Sequence, residues 1–152
     1  MKELWIFLLS ALPLLELRGA IPVAIGVFKF SYLKAFFISF LGNIIIIIPL
    51  IWFLENLSGY LIKKSKMAER FFAWLFDKTR KKIKGGFLKW GKWVLVIFVA
   101  IPLPFTGAWS GSIAAFLFGL DKKTAFWLIS LGVFLAGMIV TGVSFLGINF
   151  LK

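Results

Sequence analysis

Two short polar segments interrupt the hydrophobic runs of this chain, and they contain the residues that could do chemistry. The first, ELRGAIP, runs from Glu16 to Pro22, and the second, PLPFTGAWSG, runs from Pro102 to Gly111. At the centre of a bilayer, a charged side chain costs about 2.5 to 3.5 kcal/mol on insertion scales, so such groups face protein or water there. We therefore interpret Glu16 and Arg18 as the core of a transport or binding site.

Glu16 and Arg18 stand two residues apart, so they would diverge on a continuous helix, whereas at a turn both could point into one cavity. Gly19 and Pro22 are predicted to form that turn. In the functional interpretation, protonation of Glu16 couples transport to protons. The alternative is an internal ion pair that only stabilises the turn. Apolar packing often replaces a purely structural pair at little cost, which favours the functional interpretation.

The second polar segment has the composition of a tight turn that binds an anion. Pro102 and Pro104 lack amide hydrogens, while Gly107 and Gly111 allow the conformations that a tight turn needs. The amides that begin the returning helix are unpaired donors in a positive field, and they suit an anion. Alternatively, the hydroxyl groups only cap this helix. The candidate substrate-binding or ion-binding residues beyond the first segment are Thr106, Gly107, Ser110 and Asn43.

Composition identifies an integral membrane protein. The 152 residues are 61% hydrophobic, whereas a soluble domain holds about 45 to 50% apolar residues. The length suits one membrane domain, residues 1–152, which is too small to enclose a wide cavity alone, so a homodimer is one expectation. The chain has no Cys and no His, which removes disulfides, Fe–S clusters, thiol nucleophiles and the usual triads and transition-metal sites. We predict no enzymatic activity, no metal and no cofactor.

The net charge of +12 is concentrated in one linker. Residues 63–92 hold eleven Lys or Arg against two acids, a net charge of +9. In so apolar a chain, a basic block beside membrane segments indicates a cytoplasmic linker by the positive-inside rule and not a nucleic-acid site. We predict an amphipathic helix over 63–82 that lies on an anionic leaflet and ends at Gly85 and Gly86. Its apolar face would contain Met67, Ala68, Phe71, Phe72 and Leu75.

Four apolar stretches flank this linker, and they alternate between broken and continuous. Residues 1–28 and 93–120 are broken by Pro and Gly, whereas 35–54 and 124–151 are uncharged and long enough to cross a core about 30 Å thick. We predict an all-α protein with two re-entrant hairpins and two full transmembrane helices, arranged as an inverted repeat around a central site. Four full crossings, with kinks in the broken segments, are the alternative. With the linker inside, the hairpins place the N-terminus outside.

The two polar segments and the sequence around them resemble those of a known protein family. ELRGAIP followed by a span, and PLPFTGAWSGSIAAFLFGL after a basic linker, resemble the small multidrug export protein family over nearly the whole chain. A more distant similarity connects the chain with DedA-type (SNARE-associated, VTT-type) membrane proteins. The family resemblance implies a multi-pass transporter with paired re-entrant loops, and the DedA-type similarity implies flipping of polyprenyl-phosphate lipids. The sequence departs from these relatives in two ways. The second hairpin has no arginine, which weakens a two-arginine phosphate clamp, and Phe105 stands where a small residue is expected.

Three functions follow as hypotheses. The first is a transporter of small or drug-like solutes in the inner (cytoplasmic) membrane. The second is a flippase for an anionic lipid such as a polyprenyl phosphate. The third is an accessory membrane protein without transport activity. Charge separates the first two, because a cationic drug needs Glu16 whereas a lipid phosphate needs Arg18 and the amides of the second hairpin.

Overall fold

The chain folds as a bundle of α-helices. A computed structural model describes residues 1–104 and 106–150, and these residues contain no β-strand. The predicted all-α class is therefore confirmed. The helices are α1 (Lys2–Ala11), α2 (Glu16–Gly26), α3 (Tyr32–Ile44), α4 (Ile47–Asn56), α5 (Ser58–Lys64), α6 (Lys66–Trp90), α7 (Val94–Ala100), α8 (Ala108–Leu117) and α9 (Lys122–Phe150), with a 3-10 turn at Gly91–Trp93 before α7.

Two helical segments are long and apolar enough to cross a membrane. They are Tyr32–Asn56, with 25 residues, and Lys122–Phe150, with 29 residues. The first segment contains the whole predicted span 35–54, and the second contains the predicted span 124–151 except for residue 151. Residues 151 and 152 lie outside the described residues. The first segment is interrupted at residues 45–46, between α3 and α4. Pro49 explains the break, since it has no N–H to donate to the carbonyl of Ile45.

Two helix pairs occupy the stretches predicted to be broken. Residues 12–15 join α1 to α2, and residues 101–107 join α7 to α8. The predicted position of the first turn is wrong, because Gly19 and Pro22 lie inside α2. Instead, α1 ends at Leu12, which is extended (φ −76°, ψ 142°). Pro13 accounts for this, since a residue that precedes proline is disfavoured in the helical conformation.

The second turn contains Pro102 and Pro104 as predicted, but not Gly111, which lies inside α8. A Cβ on Gly111 would lie 2.6 Å from the Cγ2 of Val99 on α7. Gly111 therefore serves close packing between the two arms and not the turn itself. The residues that turn the chain are the prolines, which cannot continue α7.

The helix pairs pack against the long segments in matching ways. α1 packs on α2 and α3, and α7 packs on α8 and α9. In addition, α2 contacts α9, and α8 contacts α4, so each pair also touches the long segment of the other half. Glycines allow the closest approaches: a Cβ on Gly42 would lie 2.3 Å from the carbonyl oxygen of Phe7, and one on Gly132 would lie 2.9 Å from that of Val96.

The basic linker folds largely into α6, which continues beyond its predicted end. It passes through Gly85 and Gly86 and ends at Gly91, whose φ of +59° is left-handed. A glycine inside a helix costs only about 1 kcal/mol relative to alanine, which packing can offset. Here a Cβ on Gly86 would lie 2.5 Å from the Cγ2 of Val94, so the glycine lets α7 start close beside α6.

The apolar face of α6 is divided between protein and surroundings. Phe72 is buried in a cluster with Leu50 and Leu54 of α4 and Ile113 of α8, and Leu75 packs against the same cluster. The expectation that this whole face lies on lipid is therefore wrong for Phe72 and Leu75. These side chains hold α6 against the bundle.

Candidate functional site

The two polar segments meet at the tips of the helix pairs. The Arg18 Nη2 donates to the Thr106 Oγ1 at 3.0 Å, across 88 residues of chain. The backbone N–H of Trp109 donates to the Glu16 Oε1 at 3.3 Å, across 93 residues. The sequence predicts that Glu16, Arg18, Thr106 and Gly107 share one site, and the structure brings these four residues together.

The carboxylate of Glu16 takes the position of a helix cap for α8. Gly107 is the N-cap residue of α8 and has no side chain of its own. A Cβ built on Gly107 would lie 1.5 Å from the Glu16 Oε2. An N-cap side chain normally accepts a bond from the second or third helical amide, and Trp109 is the second residue of α8. The predicted anion position at this helix start is thus filled by the protein's own carboxylate.

Glu16 adopts an uncommon backbone conformation to reach this position. Its φ is +48°, in the left-handed region that residues other than glycine rarely occupy. It directly follows the turn, and its Oε2 lies 3.8 Å from the Arg18 Nη2. Their side chains are only 7% and 16% exposed. Both charged groups therefore point the same way, as expected for a turn and unlike a continuous helix.

Thr106 connects the second turn to the first. Its hydroxyl lies 2.7 Å from the carbonyl oxygens of both Ile101 and Leu103, which closes the loop before α8. The same oxygen accepts the bond from Arg18. Within the described residues, the buried Nε of Arg18 has no hydrogen-bond partner. Arg18 therefore has donor capacity that the protein leaves unused.

The end of α1 is capped by two other helices. The indole N–H of Trp109 donates to the carbonyl of Ala11 at 2.9 Å, and the Asn43 Nδ2 donates to the carbonyl of Ser10 at 3.1 Å. The last carbonyls of a helix have no partner within that helix, so both bonds satisfy groups that would otherwise be unpaired. Asn43 is buried, and its contact is with α1 and not with the cavity described next.

A cavity of about 730 Å³ opens beside the meeting point. Its polar wall comes from Glu16, Arg18, Trp109 and Ser110. Thr106 and Gly107 lie buried behind this wall. The remaining lining is apolar and comes from both turns and from α2, α4, α6 and α8: Pro13, Leu14, Leu15, Gly19, Leu50, Phe53, Leu54, Phe71, Phe72, Leu75, Pro102, Pro104 and Ile113.

Sequence reasoning missed the contribution of α6 to this cavity. The amphipathic pattern predicts a lipid-facing surface for Phe71, Phe72 and Leu75, whereas all three line the cavity. An amphipathic pattern shows that a helix has an apolar face but not what covers it. The role of Pro13 was signalled in the sequence, because a proline after an apolar helical run is a stop signal.

The chemistry that this arrangement offers is the binding of a ligand. An apolar chamber with one carboxylate, one guanidinium and one helix start can hold an amphiphilic molecule and orient its charged end. Within the described residues, no group of three or more Asp, Glu, His or Cys side chains could hold a metal ion. Phe105, which departs from the expected family pattern, lies outside the described residues.

The comparisons with known proteins identify the family. A family model described as "Putative small multi-drug export protein" matches residues 16–139. This range begins at Glu16 and includes the second turn, so it covers both halves of the site. No curated protein and no solved structure matches the chain. The resemblance to small multidrug export proteins is confirmed, whereas the more distant similarity to DedA-type proteins remains a prediction.

Proposed function

Because the chain belongs to the small multidrug export protein family, we propose that it is a membrane transporter that moves a small amphiphilic solute through the cavity between its two turns. One observation carries the proposal: Arg18 bonds to Thr106, and Trp109 bonds to Glu16, at the wall of the cavity of about 730 Å³. These bonds place the two charged side chains of one half against a hydroxyl group and a backbone N–H of the other. The proposed activity involves no covalent chemistry.

We further propose that α1–α2 and α7–α8 are re-entrant hairpins. α1 and α8 have ten residues each, α2 has eleven, and α7 has seven after a 3-10 turn of three. With that turn counted in the arm of α7, each arm rises about 15 Å, half of a hydrocarbon core about 30 Å thick. The matched packing of the pairs on α3, α4 and α9 supports an inverted repeat. In this arrangement α6 is cytoplasmic, because it carries the basic block.

The charged pair offers a way to exchange the solute. A cationic group could replace the Arg18 guanidinium beside Glu16, since the two lie 3.8 Å apart, at the edge of direct contact. Protonation of Glu16 would remove the negative charge of the carboxylate, to which the Trp109 N–H donates and beside which the Arg18 guanidinium lies. We propose that this step weakens the contact between the hairpins and couples solute movement to protons.

A second candidate is flipping of an anionic lipid such as a polyprenyl phosphate. It is favoured by the Nε of Arg18, which has no hydrogen-bond partner among the described residues, and by the start of α8, since both attract an anion. For an anion to bind there, the Glu16 carboxylate must first leave the cap position. An accessory role without transport is the third alternative, and it predicts that the purified protein moves neither class of substrate.

Transport by reconstituted vesicles tests these alternatives. Vesicles that contain the protein receive either a cationic fluorescent dye or a labelled polyprenyl phosphate. If the solute is a cation, Glu16→Gln should abolish dye movement; if the lipid is the substrate, Arg18→Ala should abolish lipid movement. Glu3→Gln and Lys29→Ala remove exposed charges outside the cavity and serve as matched controls. Wild-type transport by both site variants would refute the assignment of the site.

The proposed topology has an independent test. The chain has no native Cys, so single cysteines at Met1 and in the loop at Lys29 can be probed with a membrane-impermeant thiol reagent in intact cells. Re-entrant hairpins predict that both positions are labelled from outside. Labelling of Lys29→Cys but not of Met1→Cys would indicate that the first pair crosses the membrane completely.

A further inference from the structure

α6 presents two different apolar surfaces. Phe72, Thr79 and Ile83 are buried against the bundle. A second set, which we call the surface stripe, consists of Met67, Phe71 and Trp74, with exposed fractions of 81%, 53% and 55%. Their spacing of four and three residues places them along one side of a helix. The stripe is therefore a separate apolar surface that the described residues leave uncovered.

Basic residues accompany the surface stripe. α6 contains eight Lys or Arg against two acids, a net charge of +6. Arg70 follows Met67 by three residues, and Lys78 follows Trp74 by four. Lys81 follows Lys78 by three. These three cations therefore lie on the same side of α6 as the surface stripe. The Nζ of Lys78 lies 4.7 Å from the ring centre of Trp74. An apolar stripe with a Trp and flanking cations is typical of a helix that binds an anionic lipid surface.

Phe71 belongs to both the stripe and the cavity wall. It is 53% exposed and also lines the cavity beside Glu16 and Arg18, together with Phe72 and Leu75. If Phe71 inserts into lipid, it must leave the cavity wall. Membrane contact and cavity closure thus compete for the same side chain.

The helix has backbone breaks at both ends. Ser65 is extended before α6 (φ −140°, ψ 122°), and Gly91 after it has a φ of +59° and a ψ of −146°. Residues at element ends that absorb such dihedral changes can act as hinges. Both ends of this 25-residue helix therefore have the backbone geometry of candidate hinges.

We propose that α6 is a lid over the cavity and that an anionic lipid surface opens it by binding the surface stripe. The inference rests on the proposed function for the meaning of the cavity, but it concerns access to the cavity. In a neutral bilayer the lid stays on α8 and α4, as in the structure. Anionic lipid binds the moved helix better, because only there can the whole Phe71 side chain leave the cavity wall and enter the lipid together with the basic residues, and this difference in affinity shifts the population.

A crosslink between the lid and α8 tests the proposal without any substrate. The rings of Phe76 on α6 and Phe116 on α8 have centroids 5.7 Å apart. Phe76→Cys/Phe116→Cys protein is placed in nanodiscs of phosphatidylcholine with increasing amounts of phosphatidylglycerol, and the rate of oxidative crosslinking is measured. We expect the rate to fall by about fivefold as the anionic lipid increases, the lower end of typical coupling between two sites.

Variants of the stripe identify the cause of any change. Arg70→Gln/Lys78→Gln/Lys81→Gln, and separately Met67→Ser/Trp74→Ser, should make the rate independent of lipid charge. Lys2→Gln/Lys29→Gln/Lys123→Gln removes three exposed charges elsewhere and should keep the response. A crosslinking rate that does not depend on lipid charge in the parent protein, or an equal loss of response in the control, would overturn the proposal.

The two proposals fail in different ways. If the rate responds to lipid charge but the vesicles move no substrate, the lid is supported and the transport function is refuted. If the vesicles transport substrate and the rate does not respond, the cavity functions without a lipid-operated lid.

Discussion

The two helix pairs meet at one site but contribute different chemistry to it. The first pair supplies the charges, Glu16 and Arg18, from the start of α2, directly after a short turn at residues 12–15. The second supplies a hydroxyl from Thr106, a backbone N–H from Trp109 and the empty space at Gly107. A repeat that duplicated the charges would bring like groups together in an apolar setting, which is costly. The comparison shows that two helix pairs with similar packing can form one site from different, mutually complementary groups.

The largest effect is expected from removing the cation of the first pair. Among the described residues, Arg18→Ala leaves the buried Glu16 carboxylate with only the Trp109 N–H as a partner, so we expect a loss of about 3 to 5 kcal/mol in the free energy of unfolding. Denaturant unfolding in detergent micelles measures it. The double variant Glu16→Gln/Arg18→Ala should recover part of the loss, because it no longer buries an unpaired charge. A double variant as unstable as the sum of both single changes would contradict this.

The next effect comes from filling the space in the second pair. Gly107→Ala places a Cβ 1.5 Å from the Glu16 Oε2 and must displace the carboxylate from the start of α8. We expect a destabilisation of about 3 kcal/mol, the upper part of the usual range for overpacking. Thermal unfolding in detergent checks this. Gly142→Ala is the matched control, since nothing lies within 4 Å of a Cβ there, and it should leave the stability unchanged or slightly higher.

A smaller effect should follow from changing the hydroxyl that connects the pairs. Thr106→Val keeps the shape but removes the acceptor for Arg18 and the donor to the carbonyls of Ile101 and Leu103. We expect a loss of about 1.5 kcal/mol, the lower value for a hydrogen bond to a charged group, because Arg18 keeps Glu16 nearby. Thr106→Ser restores the hydroxyl and should regain most of the loss. Equal stability of both variants would show that the hydroxyl contributes little.

The smallest effect belongs to the ion pair at the outer end of the first pair. The Lys34 Nζ lies 2.6 Å from the Glu3 Oε1, and this hydrogen bond is the main cause that lowers the pKa of Glu3 to about 2 from 4.5. A lowered carboxyl pKa contributes stability above pH 4.5 that is lost as the pH falls towards 2. Both groups are solvent-exposed, so we expect a shift in thermal midpoint close to the error of the measurement. Glu3→Gln should remove only the contribution of this pair, since the pKa of Asp121 is also lowered by the backbone N–H of Thr124. A large difference between the variant and the parent protein would contradict the contrast with the buried pair.

Local signals in the sequence were sufficient for the helical class and for the two long segments. Tyr32–Asn56 and Lys122–Phe150 are predominantly apolar and carry charges only near their ends, so no tertiary contact is needed to recognise them. The polar segments also stand out, because Glu16 and Arg18 are conspicuous in apolar sequence. Glycine was the less reliable signal: Gly19, Gly85, Gly86 and Gly111 suggested turns or breaks, but all four lie inside helices. A glycine that allows close packing looks the same in sequence as one that allows a turn.

The sequence by itself determined that this is an apolar α-helical protein with two polar interruptions, a basic linker and the motifs of its family, because these properties depend on composition and short-range pattern. The tertiary structure decided which groups satisfy one another. Only there does the Glu16 carboxylate take the cap position that Gly107 leaves empty, Asn43 bond to the end of α1, and α6 cover the cavity. The physical reason is that a buried polar group without a partner can bond to any group of suitable geometry. The partners here lie 33 to 93 residues away along the chain.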